Sequence, residues 1–231
     1  MTRCTICKRE SWELSLVDVS QLMDISALNI CQGCEKAINN ALKLKKFMKY
    51  IKDEDLRDKY TALLIKLCKL GTDNYKGEEC VRLLEAPAGR RKHHSHSGGL
   101  LEHINQMIQI AFVIYGQYTS PFSRILNKGD IVIGCFIHDL HKSYCTFIRD
   151  EKSNNALFRY ANDNKYMSSE MESLKILIDH GIGLTEDQMN SLFMAEGGWS
   201  DLACTRQPLG MSKLAVLVHI ADLYSSHVLK K

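Results

Sequence analysis

The sequence predicts an all-α fold with a small, separately organised unit at its N-terminus. Three observations carry that expectation. From about Glu35 onward, apolar residues recur at helical spacing. Strand-like alternation is scarce beyond residue 35. Two CxxC pairs, Cys4-Thr5-Ile6-Cys7 and Cys31-Gln32-Gly33-Cys34, bracket the first stretch. The expected division is therefore 1–35 and 36–231.

Within the first segment, Trp12, Leu14, Leu16 and Val17 suggest a strand. A chain this short buries too little apolar surface to fold alone, so a bound metal is expected to hold it. Ala37, Ile38, Ala41, Leu42 and Leu44 open the first helix, followed by Phe47, Met48 and Ile51. A second helix is predicted over Asp53–Leu70, with Asp53 as its cap. Gly71–Gly77 reads as a loop, and Glu78–Glu85 as a short helix ending at Ala86-Pro87-Ala88-Gly89. Leu100–Tyr115 is predicted helical, with Gly98-Gly99 before it, where backbones can approach closely. Asp130–Leu140 is nearly all apolar and long enough for a buried helix. Ser168–Asp179, Thr185–Met194 and Ser212–Leu229 complete the helices; Thr185 and Gln188 have capping-box spacing.

Composition sets limits. The chain has 231 residues, 45% hydrophobic and 25% charged, which suits an ordinary globular protein. A net charge of +3 does not by itself imply nucleic-acid binding. No apolar run is long enough to span a bilayer, and MTRCTICKRESW lacks a signal peptide's apolar stretch. The expected location is the cytoplasm. There, nine cysteines point to metal or free thiols rather than disulfides. Cys4, Cys7, Cys31 and Cys34 match a four-thiolate zinc pattern, closed and structural. Cys68, Cys80, Cys135, Cys145 and Cys204 read as isolated core or surface thiols.

A second constellation is built from histidine and aspartate. His138-Asp139 ends the apolar helix; neighbouring side chains there diverge by about 100°, so both reach one ion only at the helix edge. Asp222 sits in the apolar run LAVLVHIADLY, a costly place for a carboxylate unless it is paired or metal-bound. His103 lies one turn into its own helix, after HHSHSGGLLEH. Ligands from three helices would converge in a bundle core.

The order His103, His138-Asp139, Asp222 resembles the HD superfamily of metal-dependent phosphohydrolases. HHSHSGGLLEH resembles the variant of YhaM-type exoribonucleases and related bacterial and phage HD proteins. FIHDLHK resembles the HD-x-x-K block, and HIADLYS the last block. The likeness spans roughly residues 80–228. It implies an HD-type helical bundle in which His103, His138, Asp139 and Asp222 bind one divalent metal: Mn, Fe, Co, Ni or Mg. Asp139 would also orient or deprotonate the attacking water. Lys142 would meet substrate phosphate, and His94 would hold phosphate or protonate a leaving oxygen. Arg90, Arg91 and Lys92 would add positive charge, and His93 joins the substrate-binding candidates.

The departures are specific. His141 replaces the usual glycine before the lysine. Asp179-His180-Gly181 stands where relatives carry a double histidine, and Ala195-Glu196-Gly197-Gly198-Trp199 where others carry His-x-Gly. A second metal ion, at the separation of about 3.5–4 Å found in two-metal sites, is therefore not expected, and Glu196 becomes a substrate-side or site-supporting candidate. Other residues have plainer readings: His219 either as a histidine that supports Asp222 or as a hydrogen-bonded core histidine, His96 and His227 as surface, His180 as a helix-end residue, Trp199 as core, and His141 at the site mouth.

The resemblance implies hydrolysis of a nucleotide, a nucleoside mono- or triphosphate and possibly a deoxy one. An alternative is phosphodiester hydrolysis of RNA, single-stranded DNA or a cyclic nucleotide. A third is a non-catalytic nucleotide or nucleic-acid binder, with the zinc unit touching nucleic acid. The compact size suits a phage-encoded or accessory protein.

Overall fold

A computed structural model describes residues 2–6, 10–11, 15–22, 27–69, 72–75, 78–91, 93–117, 126–144, 146–150, 157–161, 167–197 and 210–229. The chain forms two compact units. One comprises Met1–Lys46, Thr61–His103 and Lys142–Asn164; the other comprises Phe47–Tyr60, Ile104–His141 and Lys165–Lys231.

The first unit begins with two antiparallel pairs, β1 (Thr2–Arg3) with β2 (Glu10–Ser11) and β3 (Ser15–Asp18) with β4 (Ala27–Ile30). The strand expected around Trp12–Val17 is met by β3; Trp12 and Leu14 lie outside the described residues. α1 (Gln32–Phe47) then buries Cys34, Ala37, Ile38, Ala41 and Leu44, the stripe its spacing predicts.

The loop and short helix expected over 71–85 are corrected. β5 (Thr72–Tyr75) pairs with β6 (Glu78–Val81), in a register that sets Tyr75 opposite Glu78 and Thr72 opposite Val81. β6 packs beside β7 (Phe147–Arg149), whose partner is β8 (Phe158–Tyr160). Cys80, Ile148 and Ala161 form a shared apolar cluster. Arg149 donates to the Glu85 carboxylate at 2.8 Å and to the Ile6 carbonyl at 3.2 Å. Arg159 donates to Glu78 at 2.8 Å. These partners are distant in sequence, so the local apolar pattern of Val81, Leu83 and Leu84 reads as helix until the cross-strand contacts are known.

α2 (Glu54–Leu67) and α3 (Gly99–Gln117) are unbroken helices shared by both units. Asp53 accepts from the Leu56 backbone N–H, as an N-cap should. The second unit holds α4 (Lys128–Ile137), α5 (Ser169–Asp179), α6 (Glu186–Met194) and α7 (Lys213–Leu223), followed by a π turn over Tyr224–Val228. α4 packs against α6 and α7 and is buried along almost its whole length. Gly134 permits this: a Cβ there would stand 2.8 Å from the Val218 side chain. Ser168, Thr185 and Ser212 each cap a helix with the side-chain oxygen, and Thr185 with Gln188 completes the capping box. Gln188 also donates to Asp130 at 2.9 Å, tying α6 to the start of α4.

The all-α expectation holds in that the described residues are mostly helical and their strands are few and short. Among the described residues no helix is long and apolar enough to cross a membrane.

Candidate functional site

The histidine-rich stretch is fixed by its backbone. Gly98 donates to the Glu85 carbonyl and Leu100 to the Ala86 carbonyl, which pin the start of α3 to the preceding turn. Gly98 has φ +75°, and a Cβ on it would meet Ala37 Cβ at 2.5 Å. Gly99 is more constrained still, because a Cβ there would lie 2.0 Å from the His94 carbonyl oxygen. His94 has φ +47°, a left-handed conformation that costs a non-glycine residue on the order of 1 kcal/mol. Its carbonyl accepts from the Ala88 N–H at 3.1 Å, which holds the turn in place. The strain sets the His94 ring 5.4 Å from that of His103 and 5.5 Å from that of His93.

His103 follows one turn into α3 and is fully buried. Ligand atoms of His93, His94 and His103 lie within 4.8 Å of one another. Glu102, beside them in sequence, is engaged elsewhere, by Lys36 at 2.8 Å and His96 at 3.3 Å.

His138 and Asp139 follow the last turn of α4, exposed by only 5% and 4%. His138 Nδ1 lies 2.8 Å from the Cys135 carbonyl. A carbonyl only accepts, so Nδ1 carries a proton, and in the neutral ring Nε2 presents a lone pair. That lone pair faces Asp139 Oδ2 at 3.2 Å. Two acceptors so close and so buried need a second proton or a cation between them. One ion bound at about 2.0–2.2 Å bridges such a gap. α3 is one continuous rod, and His103 on it completes a group with His138 and Asp139 whose ligand atoms lie within 4.8 Å of one another. The donor set, imidazole and carboxylate, fits a divalent transition ion.

Asp222 stands half-buried near the end of α7. Burial and the Asp222 carboxylate together push the Cys135 thiol up, so Asp222 acts on the α4 segment that leads to His138. His219, one turn before it, donates from Nδ1 to the Ala195 carbonyl at 2.7 Å. The ring lies where a Gly197 Cβ would be, 2.6 Å from its Cε1. Glu196, in that turn, is exposed. Lys142 is partly exposed in the 3-10 turn Leu140–Ser143; Arg90 is partly exposed and Arg91 exposed. Lys92 and Trp199 lie outside the described residues.

The sequence reading missed the packing of His141. It is buried, and its backbone N–H donates to Ser173 Oγ at 3.0 Å on α5. Glu170 and Glu172 of the same helix are also buried. Carboxylates and serine in the buried phase of α5 were the available signal.

The cysteine group forms separately. Cys4, Cys31 and Cys34 come from the end of β1, the end of β4 and the first turn of α1, with sulfurs within 4.8 Å of one another. The Cys31 N–H donates to Cys4 Sγ at 3.4 Å. Cys7 lies outside the described residues.

No family model matches the sequence, and no solved structure matches it. The chain is 32% identical over 111 residues to the dihydroneopterin 2′,3′-cyclic phosphate phosphodiesterase of Methanocaldococcus jannaschii. The match covers 47% of this chain and 43% of that protein, so it spans less than half of either.

Proposed function

We propose that this protein is an HD-type, divalent-metal-dependent phosphoesterase acting on a small phosphodiester. One observation carries the reading: the buried His138 Nε2 facing Asp139 Oδ2 at 3.2 Å, with His103 in the same group. The order of these residues, followed by Asp222, supports His103, His138, Asp139 and Asp222 as the ligand set. When bound, such an ion lowers the pKa of water and polarises a phosphoryl oxygen.

The chain's own groups supply the rest. Asp139 orients the attacking water and takes its proton. Lys142, with Arg90 and Arg91, neutralises the phosphate. His93 and His94 stand on the substrate side with Glu196, and His94 protonates the departing oxygen. In a cyclic diester, water oxygen bonds to phosphorus while one ring P–O bond breaks, and the product is a phosphomonoester. The relative's substrate is a 2′,3′-cyclic phosphate, which favours this diester class over the nucleoside mono- or triphosphates that the sequence resemblance alone put first.

The cysteine group supports a structural zinc on Cys4, Cys7, Cys31 and Cys34, because an N–H directed at Cys4 Sγ stabilises thiolate charge. We assign residues 1–35 to that unit and 36–231 to the hydrolase.

The test is hydrolysis of 2′,3′-cyclic nucleotides, cyclic pterin phosphates and nucleoside mono- and triphosphates, with Mn2+, Fe2+, Co2+, Ni2+ or Mg2+. Phosphomonoester release by the wild type, abolished in Asp139→Asn, is expected. Orthophosphate or triphosphate release would restore the nucleotidase reading. No turnover of any phosphate ester with any of these ions would leave the binding protein as the better account.

A further inference from the structure

We propose that His93, His94 and His103 form a second cation position, selective for zinc-class ions and distinct from the His138–Asp139 position. The three side chains bring ligand atoms within 4.8 Å of one another. The Nδ1 atoms of His93 and His94 are 3.2 Å apart. Two nitrogens at that separation, each about 2.0–2.1 Å from one ion, subtend an angle of about 100°, close to tetrahedral. The donors are three imidazoles with no carboxylate among them. That set suits Zn2+, Co2+, Ni2+ or Cu2+ and offers little to Mg2+.

The frame is built before any ion arrives. His94 is held at φ +47° by the Ala88 N–H, and its carbonyl occupies the space that a Gly99 side chain would take. Lys36 and His96 draw the neighbouring Glu102 carboxylate into their own pairing. The departures at Asp179-His180-Gly181 and Ala195–Trp199 concern a different place in the chain, so they do not bear on this position.

His103 belongs to both groups. One imidazole serves two ions only by losing both ring protons, so the two positions compete for it. That competition, which rests on the function proposed above, makes excess zinc an inhibitor; the cation position itself does not depend on turnover.

The test counts zinc by equilibrium dialysis in the full chain carrying Asp139→Asn, which weakens the first position. Adding His93→Ala is expected to remove one equivalent and leave the cysteine-bound zinc in place. Equal counts with and without His93→Ala would overturn the proposal. Long-range proton–nitrogen spectra of the Asp139→Asn chain guard against a folding artefact: zinc should shift the ring nitrogens of His93 and His94. If those rings stay unmoved while the count falls, the proposal is also overturned. Neither readout needs activity. An inactive wild type that still shows the zinc loss would sink only the hydrolase reading, and an active one without it would sink only this position.

Discussion

The cysteine group and the histidine–aspartate group both gather ligand atoms within 4.8 Å, but they get there differently. The cysteines follow a two-residue and a four-residue strand or stand at a helix start. His103 sits on α3, and His138 and Asp139 directly follow α4, whose buried length and close approach at Gly134 fix their position. On the reading proposed above, an ion would supply folding free energy in the first region and chemistry in the second.

The largest effect is expected at Asp139. Asp139→Asn should lower the hydrolysis rate by about 1,000-fold while the thermal midpoint of the helical region stays within a few degrees. Steady-state rates alongside a melting curve check both halves. A collapse of the fold would mean that this region also depends on its ion.

Chelation or Cys31→Ser should do the opposite. Structural zinc contributes about 10 kcal/mol or more in isolated zinc-held peptides. Loss of protection in backbone hydrogen exchange should therefore be confined largely to β1–β4 and the start of α1. Hydrolysis should persist in part when the catalytic ion is added back. Uniform loss of protection across α4 and α7 would break the comparison.

Gly99→Ala tests the frame rather than a ligand. The new methyl meets the His94 backbone carbonyl at 2.0 Å, an atom that cannot swing aside, so the turn must move. We expect a cost of about 1–3 kcal/mol, as for other overpacked sites, with a fall in turnover larger than that in Gly116→Ala, where a Cβ meets nothing within 4 Å.

Thiol chemistry gives a smaller but cleaner contrast. Burial pushes the Cys68 thiol up to about 12. At pH 8 only about one molecule in ten thousand carries a thiolate there, so alkylation of Cys68 should wait for unfolding. Cys4, Cys31 and Cys34 should label readily once the metal is stripped, and not before. Peptide mapping after timed alkylation reads both.

How much of this was legible beforehand follows the same divide. Helices with local signals were readable: Asp53, Ser168, Thr185 and Ser212 sit where caps belong, α1 shows its buried face in the spacing of apolar residues, and α4 its burial in a nearly unbroken apolar run. The hairpins β5–β6 and β7–β8 were not, because Arg149–Glu85 and Arg159–Glu78 join residues far apart in the chain. The metal-type residues were legible as types and in order. What no spacing could give was the left-handed turn at His94, or the commitment of His138 Nδ1 to the Cys135 carbonyl, which leaves Nε2 facing Asp139.

The smallest expected effect calibrates the others. Ser168 caps α5 through its hydroxyl, which accepts from the Met171 N–H at 3.3 Å. Ser168→Ala leaves that N–H to water and should cost about 1 kcal/mol. α5 also carries Ser173, the hydroxyl that accepts from the buried His141 N–H. If fraying from the capped end stays within the first turn, turnover should be unchanged and only the denaturation midpoint should move. If turnover falls together with stability, the far turns of α5 are marginal, and the placement of His141 depends on a helix start five residues away from Ser173. That outcome would show that the helical site is less self-supporting than its burial suggests, and would narrow the contrast with the cysteine unit.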